Sequence, residues 1–291
     1  MEREQKQKWI WLLIIIAAAA ASLYYRLLVN NQLEQTSALF IGMPALIAAI
    51  CVMTPKPGSA TGTAVKSVTL FIGISGILLG EGFICILMAA PLFYLVAVII
   101  GELRDKKRGQ MLSCVAILLA IPMSSEGTRP ALSFAREEVV SVEHVVAASP
   151  QQVETALSSA PRLNGAFPLY LRLGFPRPVS ATISGTAPGD TYRIHFAGGE
   201  GKPGDLVLQV AEHRSGMMSF RAVSDTSHIA HWLKWERSTV EWQQVDGSHT
   251  RLRWTLRYRR LLDPAWYFRP WERYAVHLTA AQLITDAATP R

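Results

Sequence analysis

The sequence predicts a molecule in two parts: an N-terminal all-α transmembrane bundle and a C-terminal α+β domain, in which antiparallel strands are closed by a long helix. Three observations carry this. Long apolar runs are confined to residues 1–123. Beyond Ser124 the hydrophobic period becomes two, as in strands with one dry face. The chain then ends on a helix-start signal, Asp263-Pro264, followed by helix-compatible residues from Ala265 to Ala288.

Composition supports the division. The 291 residues are 50% hydrophobic, with a mean hydropathy of +0.20. Residues 1–123 hold ten of the 29 Lys and Arg and six of the 22 acids, while all seven His lie beyond them. The three cysteines, Cys51, Cys85 and Cys114, each sit in an apolar run, where a thiol behaves as a small hydrophobe, so no disulfide is expected. The net charge of +7 is spread along helix flanks and one alternating strand. It does not form the clustered patch that nucleic acid requires, so no nucleic-acid partner is expected.

Five spans are expected, near 9–29, 37–53, 67–80, 83–101 and 111–123. The first, Trp9–Val29, is about 21 residues, enough for a hydrocarbon core of roughly 30 Å. Trp9, Trp11, Tyr24 and Tyr25 sit near its ends, where amphipathic rings favour the interface. Ser67–Gly101 is too long for one span and is broken by Gly80-Glu81-Gly82, so Glu81 reads as a turn residue rather than a buried proton-handling carboxylate. Positive charge at the N-terminus, at Lys56 and Lys66, and in the Arg104–Arg108 cluster belongs in the cytoplasm. Five spans satisfy these placements and put the C-terminal domain outside the cytoplasm; if 111–123 only dips into the bilayer, the side reverses. The chain thus reads as a multi-pass integral protein of a plasma or inner membrane. No span carries a second buried charge, so the bundle reads as an anchor.

Residues 124–137 form a polar linker to the soluble domain, 138–291. Its first strand is Glu138–Ala148, and Ser149 at N-cap with Pro150 at N1 opens a helix over Gln151–Ser158. Pro161–Pro178 resists assignment. Strands then follow over Val179–Thr186, Thr191–Ala197, Asp205–Glu212, Gly216–Val223, His231–Val245 and Thr250–Leu262. In the last hairpin a two-residue turn would mix wet and dry faces. A three-residue loop pairs Trp242 with Leu252, Val240 with Trp254 and Glu241 with Arg253, and is preferred. Glu236 and Glu241 are expected to pair with arginines across it. Asp263 should cap the last helix and Pro270 should kink or restart it.

This order resembles the START-like (SRPBCC, helix-grip) superfamily, of the polyketide cyclase/dehydrase and lipid-transport type. The likeness rests on Val142–Val146, on Ala148-Ser149-Pro150-Gln151-Gln152-Val153 with Leu157, and on the hairpin with Trp242, Asp246-Gly247 and Thr250–Tyr258 leading into the final helix. It covers residues 137–288. Glu154 departs from the pattern, since members usually carry a large apolar residue there. The resemblance implies a curved antiparallel sheet around the C-terminal helix, with an apolar cavity between them.

Chemistry is sparse. His228 and His231, with His213 as a possible third ligand, lie on a loop-to-strand segment and read as solvent-facing, so no metal is expected. Gly198–Asp205 lacks the P-loop pattern, and there is no GxSxG elbow. No catalytic residue and no cofactor is assigned. What stands out is aromatic: Trp254 and Tyr258 on the last strand, and Trp266, Tyr267, Trp271 and Tyr274 on the helix meant to cross it. Tyr267, Trp271, Tyr274, Leu278 and Ala281 have the spacing of one buried helix face. The expected ligand residues are Trp254, Tyr258, Trp271 and Tyr274, with His195 and His277 as polar groups inside the cavity. The reading is a membrane-anchored binding module for a hydrophobic or lipid-like molecule. The alternatives are a cyclase or hydratase using His195 or His277 as acid/base, and a tethered partner-binding domain. Oligomeric state and ligand identity stay open.

Overall fold

In a computed structural model the described residues are 2–30, 43–79, 83–105, 126, 129–161, 167–172, 174–197 and 203–288. The expected span over 111–123, the start of the second span, the Gly80–Gly82 turn, Cys114 and most of the Gly198–Asp205 loop lie outside them. The chain divides into two compact units, Met1–Ser124 and Ser125–Arg291.

Among its described residues the first unit contains four helices: α1 (Glu2–Asn30), α2 (Met43–Met53), α3 (Ala60–Leu79) and α4 (Phe83–Asp105). Ile15, Ala48 and Val52 form a small buried cluster with Leu70 against it. Asp105, at the end of α4, satisfies the start of α3. Its carboxylate accepts from Ala60 N at 2.7 Å, Thr61 N at 3.0 Å and Thr61 Oγ1 at 2.8 Å. Those amides are among the orphan donors of any helix N-terminus, and an acid is the group best suited to them. The two helices touch closely at Gly101, where a Cβ would lie 2.2 Å from the Thr61 backbone. Among the described residues, one helical segment, Ile86–Asp105, is long and apolar enough to cross a membrane.

The second unit is built on one seven-stranded antiparallel sheet. Its strands are β1 (Glu137–Val146), β2 (Arg177–Ile183), β3 (Thr191–Ala197), β4 (Gly204–Arg214), β5 (Met217–Asp225), β6 (Leu233–Gln244) and β7 (Thr250–Arg260), in spatial order β1-β7-β6-β5-β4-β3-β2. Strands β2 to β7 run as a meander, and β1 joins on the far side of β7. Register shifts interrupt β2–β3, β4–β5 and β6–β7. Such bulges bend a strand and increase its twist, which is what lets a sheet wrap around a helix. Gly216, at φ +76°, closes the two-residue β4–β5 turn in a conformation that a side chain would resist.

Strong local signals in the sequence match the structure. The β6–β7 register pairs Trp242 with Leu252, Val240 with Trp254 and Glu241 with Arg253, as the three-residue loop requires. Along β7, Leu252, Trp254, Leu256 and Tyr258 are buried and Arg251, Arg253, Arg257 and Arg259 are exposed. Helix α5 (Pro150–Leu157) opens with a complete capping box: Ser149 Oγ accepts from Gln152 N, and Gln152 Oε1 accepts from Ser149 N. Its Val153 and Leu157 enter the core, and Glu154 stays on the outer side, 3.7 Å from His213.

Three expectations need correction. Helix α7 (Ala265–Ala288) follows the short α6 (Leu169–Arg172) and β2–β7, and it runs unbroken through Pro270. Asp263 does not cap it. The Pro264 carbonyl accepts from Tyr267 N and Phe268 N, Glu126 Oε2 accepts from Ala265 N at 2.7 Å, and Asp263 is spent on Arg136 and Arg260. The strand arginines make their ion pairs with an acid on β1: Glu143 lies 2.6 Å from Arg253 and 3.3 Å from Arg251, while Glu241 stands opposite Arg253 as expected and adds its charge. Strand β1 sits beside β7 only because of the fold, which residue order along the hairpin does not reveal.

Helix α7 crosses the concave face of the sheet. Ala275, Val276, Ala280, Ile284 and Ala287 are its buried face, not the expected Tyr267, Trp271 and Tyr274. Small side chains let the backbone approach the strands, and Val276, Ala280 and Ile284 join the core with Val140, Leu252 and Tyr258. The first turns of α7 cross a polar patch. Glu138, almost fully buried, receives Arg269 and Arg273 at 2.6 Å each.

Candidate functional site

Between the concave sheet face and α7 lies a cavity of about 250 Å³. Strand alternation supplies one wall. Tyr192, Ile194 and Phe196 of β3, with Leu206 and Leu208 of β4 and Phe220 of β5, point into it at every second position. Trp235 and Trp254 line it from β6 and β7, and Trp232 from the turn before β6. A stripe of α7 from Ala275 to Ala287 supplies the opposite wall.

The third wall is the segment that resisted assignment. Phe167, Leu171, Phe175 and Pro176 line the cavity from α6 and its flanks. Phe175 packs edge-on against Trp232, with ring centroids 5.5 Å apart. On its other side, Tyr170 stacks on Trp271 at 6.4 Å and meets Tyr274 edge-on at 5.1 Å. Burial raises the Tyr170 hydroxyl to a pKa of about 12, helped by Tyr274. Trp271 and Tyr274 therefore act outside the cavity, as a seat that holds the α6 wall in place.

Polar groups along the walls are few. Trp254 Nε1 donates to Ser238 Oγ at 2.9 Å. Tyr192 donates to the Leu157 carbonyl at 2.8 Å, and burial pushes its pKa up to about 12. Trp235 Nε1 is buried and meets no acceptor among the described residues. On α7, Thr279, Gln282 and Asp286 face the cavity. Burial raises the Asp286 carboxyl above the usual range, and a hydrogen bond from Gln282 opposes that shift.

Of the six residues expected at a ligand, Trp254 lines this cavity and the other five do not. His195 is on the opposite face of β3, its Nδ1 2.6 Å from Asp205, whose carboxyl is held low by His195 and Arg193. Tyr258 is fully buried beneath α7 near Glu272 and Glu138, which with desolvation raise its hydroxyl beyond the usual range. Trp271 lies behind α6. Tyr274 and His277 border a separate, open depression beside Arg269 and Arg273. The more enclosed, aromatic-walled cavity is the better ligand site, because a more open depression excludes less water. His228 and His231 pack ring to ring at 5.0 Å, and the described residues contain no group of three ligands that would hold a metal.

A meander wrapped around its C-terminal helix, with a cavity between them, decides the fold type. The C-terminal unit has a helix-grip fold. Solved structures similar to this chain include the ZhuI aromatase/cyclase from Streptomyces sp. R1128, at 14% identity, covering 52% of this chain and 92% of that one with a TM-score of 0.37. A START superfamily protein from Mycobacterium smegmatis is similar at 16% identity, covering 51% and 92%, TM-score 0.36. A protein from Thermus thermophilus is similar at 13%, covering 52% and 94%, TM-score 0.37. No family model and no curated protein matches the sequence.

Proposed function

We propose that this chain is a membrane-anchored START-like protein that holds a hydrophobic, lipid-like molecule between its sheet and α7. The observation that carries the reading is the cavity itself. Its volume of about 250 Å³ exceeds the roughly 150 Å³ that admits benzene into a dry protein interior. Aromatic walls with few polar groups favour an apolar body and fix its orientation at few points. Native mass spectrometry of the full chain tests this. A co-purifying apolar molecule at near-stoichiometric amount, lost when Ala222→Trp fills the cavity, is the expected result. A well-folded protein that takes up no apolar probe would sink it and favour the partner-binding reading.

The N-terminal helices are the anchor in this reading, with residues 1–123 as a multi-pass region, 124–137 as linker and 138–291 as the ligand domain. Leu95 and Ile100 on α4 and Ile10, Leu13 and Ile14 on α1 are exposed, as suits side chains facing lipid. The N-terminus is cytoplasmic and the C-terminal domain extracytoplasmic on five spans. Labelling cysteines placed at Gln5 and Ser248 in sealed cells reads both sides directly; labelling of both from one side means an even number of spans. A cyclase- or hydratase-type reaction in the cavity would need an acid/base other than His195 or His277, because neither lines it.

A further inference from the structure

The cavity is not uniformly apolar. The α7 stripe runs from Ala275 and Val276 to Leu283 and Ala287, and it sets Thr279, Gln282 and Asp286 among them, the last two in the final turns of the helix. Those groups are acceptors in surplus. Thr279 donates to its own helix at Ala275 O, 2.9 Å, and Gln282 Nε2 donates to Asp286 Oδ1 at 3.0 Å. Gln282 Oε1 and Asp286 Oδ2 receive no hydrogen bond from the described residues.

Among the described residues Asp286 also lacks a counter-charge. The two arginines bordering the cavity form no ion pair with it, and Arg177 Nη2 is turned to the Arg172 carbonyl at 3.2 Å. A carboxylate in the last helical turn sits where the backbone carbonyls already concentrate negative potential. Desolvation, carbonyls and an unpaired acid therefore act together, and each is relieved by a cationic donor.

Resting on the reading of the cavity as a ligand site, we infer that its ligand is an amphiphile with a fused-ring or branched apolar body and a protonated amine, the amine received by Asp286 and Gln282. The apolar body lies among the aromatic side chains of the walls, and the ammonium donates to Asp286 Oδ2 and Gln282 Oε1.

The test compares naphthylmethylamine, naphthylmethanol and naphthoate on the full chain in zwitterionic nanodiscs, with empty nanodiscs as the partition baseline. The expected result is saturable binding of amine and alcohol, the amine tighter by about tenfold, as suits a charge-assisted hydrogen bond, and no measurable uptake of naphthoate. Asp286→Asn should equalise amine and alcohol while leaving the alcohol's affinity intact, and Asp286→Glu should restore part of the preference. Equal binding of the two in the unaltered protein, or a preference that survives Asp286→Asn, overturns the amine assignment while the cavity reading stands. Binding of none of the three overturns both. Should Asp286→Asn fail to fold, the amine-to-alcohol ratio in the unaltered protein decides by itself.

Discussion

Arg260 and Glu126 form an ion pair out of reach of water: Nη2 lies 3.1 Å from Oε1, and the side chains are 0% and 4% exposed. They are separated by 134 positions. Arg260 also reaches Asp263 Oδ1 at 2.8 Å and the Leu262 carbonyl, while Glu126 takes the first amide of α7. The pair thus ties residue 126, ahead of the sheet, to the corner where β7 turns into α7.

Removing one member of a buried pair strands the other's charge. Glu126→Gln should therefore destabilise the C-terminal unit by about 3 kcal/mol, the low end for such changes because Asp263 still faces Arg260. Denaturant unfolding followed by tryptophan fluorescence reads this directly. A change below about 0.5 kcal/mol, the size of an ordinary surface substitution, would show that the pair carries no such weight.

Glu272 makes stability depend on pH. Burial raises its pKa to about 8, which the Arg260 charge and the Leu262 backbone N–H only partly oppose. Among the described residues neither carboxyl oxygen meets a donor of good geometry. The folded protein keeps this proton up to about pH 8, whereas the unfolded chain releases it near the usual glutamate value. Between those values the folded state binds more protons, so stability falls as pH rises and levels off above about 8. Melting temperatures across that window should slope downward, and Glu272→Gln should flatten the slope. Parallel curves for the two proteins would rule Glu272 out as the source.

Two of the three cavity tryptophans, Trp254 and Trp235, should respond differently to loss of their N–H. Trp254→Phe removes a satisfied hydrogen bond and leaves Ser238 unpaired, at a cost of about 1 kcal/mol beyond the change in packing. Trp235→Phe removes a buried donor that has no acceptor and should cost less. Chemical denaturation of both variants side by side checks the order, and a larger loss at Trp235 would mean its N–H is satisfied by a molecule in the cavity.

Ser149→Ala should weaken the start of α5 by about 1 kcal/mol, since it removes the acceptor for Gln152 N. Hydrogen exchange at Val153 and the residues beside it is the local readout. Unchanged protection there would mean that core burial of Val153 alone sets the helix start.

The β6–β7 register was legible because pleating forces alternate side chains to opposite faces, so loop length and dry face constrain each other within about twenty neighbouring residues. The Ser149-Pro150 start was legible for the same local reason: the capping groups are three positions apart. The cavity was legible only in outline. Its α6 wall comes from Pro161–Pro178, where prolines break every period, and nothing along that stretch announces Phe175 or Leu171 as lining residues.

Residue order alone settled the strands, the α5 cap and the last hairpin, because each depends on groups close along the chain. Tertiary structure decided the rest. Helix α7 carries aromatics on one side and Ala275, Val276, Ala280 and Ile284 on another, and periodicity favours both. The concave sheet admits the small side because only small residues let the helix backbone come close, so Trp271 and Tyr274 are left outside to hold Tyr170. Asp286 faces the cavity and His195 faces away for a similar reason. The side of a helix or strand that becomes the interior is chosen by the element packed against it, and that partner lies far away in the chain.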